Sequence, residues 1–206
     1  GGGGGGGWGG YEAWMAVASI QKLLPSVDAG KGNFIRDAWD RLSKVPGGKL
    51  LFSKLVGRVA PYTGTIGAKV TKLSASGSEV VLEDRAAVRN HLRCVHAVAL
   101  VNLAELTGNV ALAYGMPDDA RFIVAGLSIE YLKKARGTIT GVCEFGPIDS
   151  NERQEYEVPV SMRNTAGEAT QTMFSQLALR PVALTIASGI AAEVTRGGIA
   201  RGFSLS

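Results

Sequence analysis

The sequence predicts an α+β domain over residues 64–177, a curled antiparallel sheet wrapped around one buried helix. Three observations point there: a long apolar run from Cys94 to Tyr114 closed by Gly115 and Pro117, two β-rich stretches before it, and four after it. A helix that is apolar nearly all round must be covered on more than one side, which an antiparallel sheet does by curling.

The elements follow in order. Phe34, Ile35, Ala38, Trp39 and Leu42 recur at helical spacing behind Asn33, a natural N-cap, and Pro46-Gly47-Gly48 ends the run. Leu50 to Ala60 reads as a second helix, so residues 33–63 are expected to pack on the domain as N-terminal helices. Ile66 to Leu73 and Glu79 to Asp84 are rich in β-branched residues, and Ser74-Ala75-Ser76-Gly77 between them has hairpin turn chemistry. Beyond the central helix, Arg121 to Leu132, Thr138 to Phe145, Glu155 to Arg163 and Glu168 to Leu177 read as strands, punctuated by Gly137, Gly146-Pro147 and Thr165-Ala166-Gly167. Residues 178–206 form a tail with a candidate terminal helix from Val182 to Val194.

With 206 residues, 46% hydrophobic and 19% charged, the chain suits one core with tails. Its net charge of +4 is spread without a basic run or interleaved aromatics, which argues against nucleic acid. Cys94 and Cys143 suggest neither a disulfide framework nor a zinc site. A reducing compartment is expected, the cytoplasm first and the mitochondrial matrix second. His96, Asn102, Glu105 and Asn109 interrupt the apolar run, each expensive in hydrocarbon, so the run reads as a core helix and not a membrane span. The glycine-rich head, residues 1–32, is expected to be disordered. Met15 is a candidate start, and the stretch after it, without an Arg before Arg36, makes a poor transit peptide.

The chemistry gathers on the central helix. At about 100° per residue, Asn102, Glu105 and Asn109 fall within a sector of about 60°, one polar stripe on an apolar rod. A carboxylate there costs several kcal/mol unless paired, hydrogen-bonded or hydrated. Glu105 is therefore either half of a structural ion pair or a functional group. Free N–H groups at the helix start, around His96 and Ala97, would offer partial positive charge to a carbonyl oxygen, which is how an oxyanion site is built. Glu105 further along would serve as general base or nucleophile, with Asn90 holding a water. Cys94 near a helix start invites a nucleophile reading, but no base stands at suitable spacing, and a core or capping role is the simpler one.

The run Asn90-His91-Leu92-Arg93-Cys94-Val95-His96-Ala97-Val98-Ala99-Leu100-Val101-Asn102-Leu103-Ala104-Glu105 resembles the signature of hotdog thioesterases of the phenylacetyl-CoA thioesterase type. There an Asn precedes a helix-opening His, a small residue follows, and a later Asp or Glu completes the set. Asn90, His96, Ala97 and Glu105 match at those intervals. Leu127 to Ala135 is similar to the long strand and bend that follow in the same family, and the likeness spans roughly Lys44 to Gln176.

The resemblance implies a hotdog fold and an acyl-CoA thioesterase activity with no metal or cofactor, the coenzyme A thioester being substrate. It also implies a homodimer or dimer of dimers whose sites are shared, Glu105 facing Asn90 and His96 of the other subunit. Lys133, Lys134 and Arg136 would lie near the coenzyme A phosphates, a solvated charged bend being the alternative. Arg93 would stand as a cation at the entrance to the oxyanion site. The chain departs from the family pattern at Arg93 and Cys94, usually Gly and a hydroxyl residue, at Ala97, usually Gly, and at Val124, where some relatives use Ser. A non-catalytic acyl-binding protein is thus the rival reading. A third, 3-hydroxyacyl thioester dehydration, rests on the interval from His91 to Glu105, although the framing Pro and Gly of the dehydratases are missing.

Overall fold

The computed structural model describes residues 33–181. The glycine-rich head and everything from 182 onward, including the candidate terminal helix, lie outside the described residues. Helix α1 (Phe34–Leu42), helix α2 (Gly48–Val59) and the short α3 (Pro61–Gly64) precede the hairpin of β1 (Lys69–Ser74) and β2 (Gly77–Leu82). A 3-10 turn (Ala86–Val88) leads to helix α4 (Ala97–Gly115), followed by β3 (Ala120–Tyr131), β4 (Ile139–Glu144), β5 (Gln154–Arg163) and β6 (Ala169–Pro181).

The six strands form one antiparallel sheet in the order β1-β2-β4-β5-β6-β3. The hairpin turns where the sequence places it, at Ser74 to Gly77. Gly77 has φ +153°, and a Cβ there would sit 2.0 Å from the Cys143 carbonyl oxygen of β4, so only glycine lets the strands approach.

Helix α4 carries the core. Leu103 and Leu112 are fully buried against Val80, Leu82, Ile139 and Met162 from the curled sheet. Each such side chain stabilises the fold by about 1.5–3 kcal/mol relative to exposure. By length and composition alone this helix is apolar enough to cross a membrane, yet two-thirds of it (67%) is buried inside the domain.

The N-terminal helices clamp the far end of α4. Asn33 caps α1 as its position suggests, its Oδ1 accepting from the Arg36 N–H at 3.0 Å. The Asn33 side-chain amide also donates to the Ala113 carbonyl, while Arg36 donates to Tyr114 O (2.9 Å) and Met116 O (2.6 Å). These are the orphan carbonyls of the helix end, where a cation also suits the helix dipole. Trp39 then packs edge-on against Phe52 of α2, ring centroids 5.1 Å apart.

Three boundaries differ from the sequence expectation by three residues or more: β1 begins at Lys69 and not Ile66, β6 runs on to Pro181 and not Leu177, and the third is the start of α4. Helix α4 starts at Ala97 and not near Cys94. Val95 donates to the Ala135 carbonyl at 2.9 Å and pairs with Arg89 in an isolated bridge, which holds that stretch extended.

Candidate active site

The loop before α4 is built by Asn90. Its Oδ1 accepts from Leu92 N (2.9 Å), Cys94 N (3.3 Å) and Cys94 Sγ (3.3 Å), an Asx arrangement that a short amide side chain is suited to make. Among the described residues its Nδ2 has no partner. Cys94 is buried in this turn and is one of its hydrogen-bond donors. The other thiol, Cys143, is buried under the sheet, and desolvation, with a smaller push from Glu144, drives it up to about 12.

Arg93 occupies the left-handed region at φ +55°, the only non-glycine of the described residues to do so. An L-residue pays roughly 1–2 kcal/mol for that conformation. Its side chain is exposed at the loop tip, as is His91.

His96 is the N-cap of α4, its Nδ1 accepting from the Val98 N–H at 3.1 Å. Its own N–H, expected to be free, donates instead to the Val88 carbonyl at 2.8 Å. That leaves Ala97, half-buried and next in the chain, whose N–H has no partner among the described residues. The available positive end of the helix is therefore one residue narrower than the sequence suggests.

The bend after β3 packs on this helix start. Ala135 is tied to Val95 by the bond just described, and Tyr131 Oη donates to the Ala97 carbonyl at 3.3 Å. Asp84 locks the bend from the other side, accepting from Gly137 N (2.9 Å) and Arg89 Nε (2.6 Å). The Arg89 hydrogen bond is the main reason its carboxyl sits below the ordinary value, the Gly137 N–H adding to it against a desolvation that acts the other way. Lys134 and Arg136, flanking Ala135, are exposed beside the loop, whereas Lys133 pairs with Glu168 at 3.2 Å.

Glu105 is half-buried on α4. Among the described residues no cation pairs with it, so the ion-pair reading of this carboxylate has no support there. Asn109 Nδ2 approaches its Oε1 at 3.5 Å. Asn102, 4% exposed, donates to the Tyr62 carbonyl at 3.2 Å, and the side-chain oxygens of both asparagines are buried without a partner. Val124, where some thioesterases carry a hydroxyl, is partly buried against the core beside a bulge in β3. Gly126 inside the strand run is a signal for that bulge, and the Gly usual at the Arg93 position is one for its left-handed backbone; neither was read as such.

Among the described residues, strand β3 lies at an edge of the sheet, hydrogen-bonded on one side only, to β6. Ile123 (59%), Leu127 (42%) and Tyr131 (49%) are exposed along it.

A family model described as a domain of unknown function, DUF4442, matches residues 48–179. Among solved structures, a genomics target is similar at 28% identity, covering 72% of this chain and 99% of its own, with a TM-score of 0.64. A Pseudomonas aeruginosa protein of unknown function, described as a probable thioesterase, matches at 19% identity over 66% of this chain and 97% of its own (TM-score 0.59). A thioesterase family protein from Silicibacter pomeroyi matches at 16% over 63% and 96% (TM-score 0.54). No curated protein matches. The fold is thus the thioesterase-like hotdog fold, an α+β architecture.

Proposed function

This chain belongs to the DUF4442 family, a domain of unknown function, and from that premise we propose that it is an acyl-CoA thioesterase-like hydrolase. The observation that carries the reading is Glu105, a half-buried carboxylate without a cation among the described residues, on the same helix whose first N–H, that of Ala97, is also unpartnered.

In the proposed reaction the Ala97 N–H donates to the thioester carbonyl oxygen. Glu105 takes a proton from a water that Asn90 Nδ2 holds, and the resulting hydroxide attacks the carbonyl carbon. The tetrahedral intermediate collapses with cleavage of the C–S bond, and the leaving thiolate recovers the proton from Glu105. His96 contributes by capping the helix and so aiming the Ala97 N–H. Lys134 and Arg136 are suited to the phosphates of coenzyme A, and Arg93 to the mouth of the site.

The site needs two copies of the chain. Ala97 and Glu105 are eight residues apart on one helix, about 12 Å along its axis, too far for one water to touch both. The β3 edge offers the contact: a long strand with one side unpaired by any strand of the described residues, and with exposed Ile123 and Leu127, calls for a partner strand. A homodimer joined there brings Glu105 of one copy toward Asn90 and Ala97 of the other, and dimers of dimers are compatible with it.

The test is thiol release over a panel of acyl-CoA chain lengths, with Glu105→Ala and Asn90→Ala beside the parent. Turnover that disappears in Glu105→Ala supports the reading, and turnover that survives it unchanged ends it. Acyl binding without hydrolysis favours the non-catalytic reading, which the cation and strain at Arg93 and the absent hydroxyl at Val124 recommend. Dehydration of a 3-hydroxyacyl thioester, lost in His91→Ala, would reassign the chemistry.

A further inference from the structure

Among the described residues, the exposed large apolar side chains fall into two groups. Leu92, Val98, Ile123, Leu127, Tyr131 and Leu132 lie at the β3 edge and the adjoining helix start and bend, where a second copy would cover them. The other group, Val45 (52%), Leu50 (45%), Leu51 (54%), Val59 (44%) and Tyr62 (67%), belongs to the N-terminal helices and the turn between the first two, and has no place in the proposed reaction.

Charge is segregated with this second group. From Arg41 to Ser78 inclusive the sequence contains seven Lys or Arg, none adjacent, and no Asp or Glu, so cations that form no run still outnumber acids in this part of the chain. Lys69 and Lys72 are paired with Glu83 and Glu79, and Lys49 donates to the Thr71 carbonyl at 2.7 Å. Lys54 and Arg58 are exposed and form no ion pair among the described residues.

Helix α2 brings the two properties onto one face. At about 100° per residue, Leu50, Leu51, Lys54 and Arg58 span about 100° of its circumference, opposite the buried Phe52 and Val56. The groove beside this face, about 620 Å³, is lined by Leu50, Lys54, Arg58, Pro61 and Lys69.

We propose that this face docks on a lipid bilayer surface bearing anionic headgroups, Leu50 and Leu51 entering the headgroup–acyl boundary while Lys54 and Arg58 meet the charge. An apolar residue flanked by cations and free of carboxylates is the composition that interfacial helices use. A second copy of the chain is a poor occupant, because a two-fold contact would set Lys54 and Arg58 against themselves. Nucleic acid gives exposed leucines nothing to bury against. Docking would place the acyl-thioester site beside the membrane without any segment crossing it.

Flotation of the full chain with vesicles tests this. With phosphatidylcholine vesicles that include phosphatidylglycerol, at about 0.15 M salt, the chain is expected to float, and with pure phosphatidylcholine it is expected to stay in solution. Partition should fall roughly 25-fold in the double variant Lys54→Gln, Arg58→Gln, from about fivefold per cation. It should also fall in Leu50→Ala, Leu51→Ala, with thermal unfolding and the rate on soluble acyl-CoA unchanged in both. Absence of flotation, or equal flotation with neutral vesicles, overturns the proposal. So does binding of a dispersed, monomeric anionic amphiphile without vesicle binding, which would make the groove a ligand site. A change of oligomeric state in the leucine variant, read by light scattering, would assign the face to self-association. None of these outcomes depends on Glu105, so this proposal and the hydrolase reading fail separately.

Discussion

Asn109 Nδ2 lies 3.5 Å from Glu105 Oε1, one turn along the same helix, and it is the only hydrogen-bond donor to that carboxylate among the described residues. At that length the bond orients more than it stabilises. Replacing Glu105 by Gln is expected to lower kcat on acyl-CoA at least roughly 100-fold. Asn109→Ala is expected to cost at most about fivefold, the worth of a well-formed bond of about 1 kcal/mol. Steady-state kinetics on both variants decides; equal losses would mean that Asn109 does more than orient.

Arg93 supplies a stability prediction. Its φ of +55° is comfortable only for glycine, so Arg93→Gly should stabilise the fold by about 1 kcal/mol, less the entropy that glycine adds to the unfolded chain. Chemical denaturation measures this directly. A clear loss of stability would show that the arginine side chain holds the loop by contacts that outweigh its backbone strain.

Acid sensitivity should trace to Asp84. Its carboxyl is held below the ordinary 3.8, chiefly by the Arg89 hydrogen bond. A depressed folded pKa gives stability that is fully present above the unfolded value and is lost as pH falls through the folded one. The unfolding midpoint of the parent should therefore drop below about pH 4. In Asp84→Asn it should start lower and depend less on pH over the same window. Parallel curves would refute the assignment.

Packing at Gly141 offers a test of the core. A Cβ there would meet Thr107 Oγ1 at 2.5 Å, and Thr107 is fully buried with its hydroxyl donating to the Leu103 carbonyl. Gly141→Ala should destabilise by about 1–3 kcal/mol. Adding Thr107→Ala should recover part of that, a coupling that a double-mutant cycle reads. Strict additivity would mean the strand shifts to make room.

The association surface can be broken by one charge. Leu127→Lys on the β3 edge should give a monomer by light scattering, with loss of turnover, while the melting transition persists. A fully active monomer would remove the shared-site reading.

Much of the fold was legible because its signals are local. The Asn33 cap, the Ser74–Gly77 turn and the helix stop at Gly115 each depend on residues within a few positions of one another. The neighbours of β3 were not legible, since its alternating pattern says which face is buried but not which strand lies alongside. The exact helix start was missed for a related reason: Val95 is held extended by Ala135, a backbone partner from across the fold that no side chain encodes. In the candidate site, helical spacing put His96 near the helix start and Glu105 on a stripe with Asn102 and Asn109, whereas the grouping of Asn90, His96 and Glu105 as one set came from the resemblance. The engagement of the His96 N–H by Val88 could not be read, because it is again main chain to main chain.

The strand order also sets a timetable. Strand β3 precedes β4 and β5 in the chain, yet its only strand partner among the described residues is β6, the last strand of the sheet. As the polypeptide leaves the ribosome, Ile123 and Leu127 must wait, with every backbone group of their strand unpaired, while β4 and β5 are made. Such late, non-local closure slows folding and exposes a sticky edge in the interval. A chain cut short before Ala169 would keep the helix and the hairpin but leave that edge open for good.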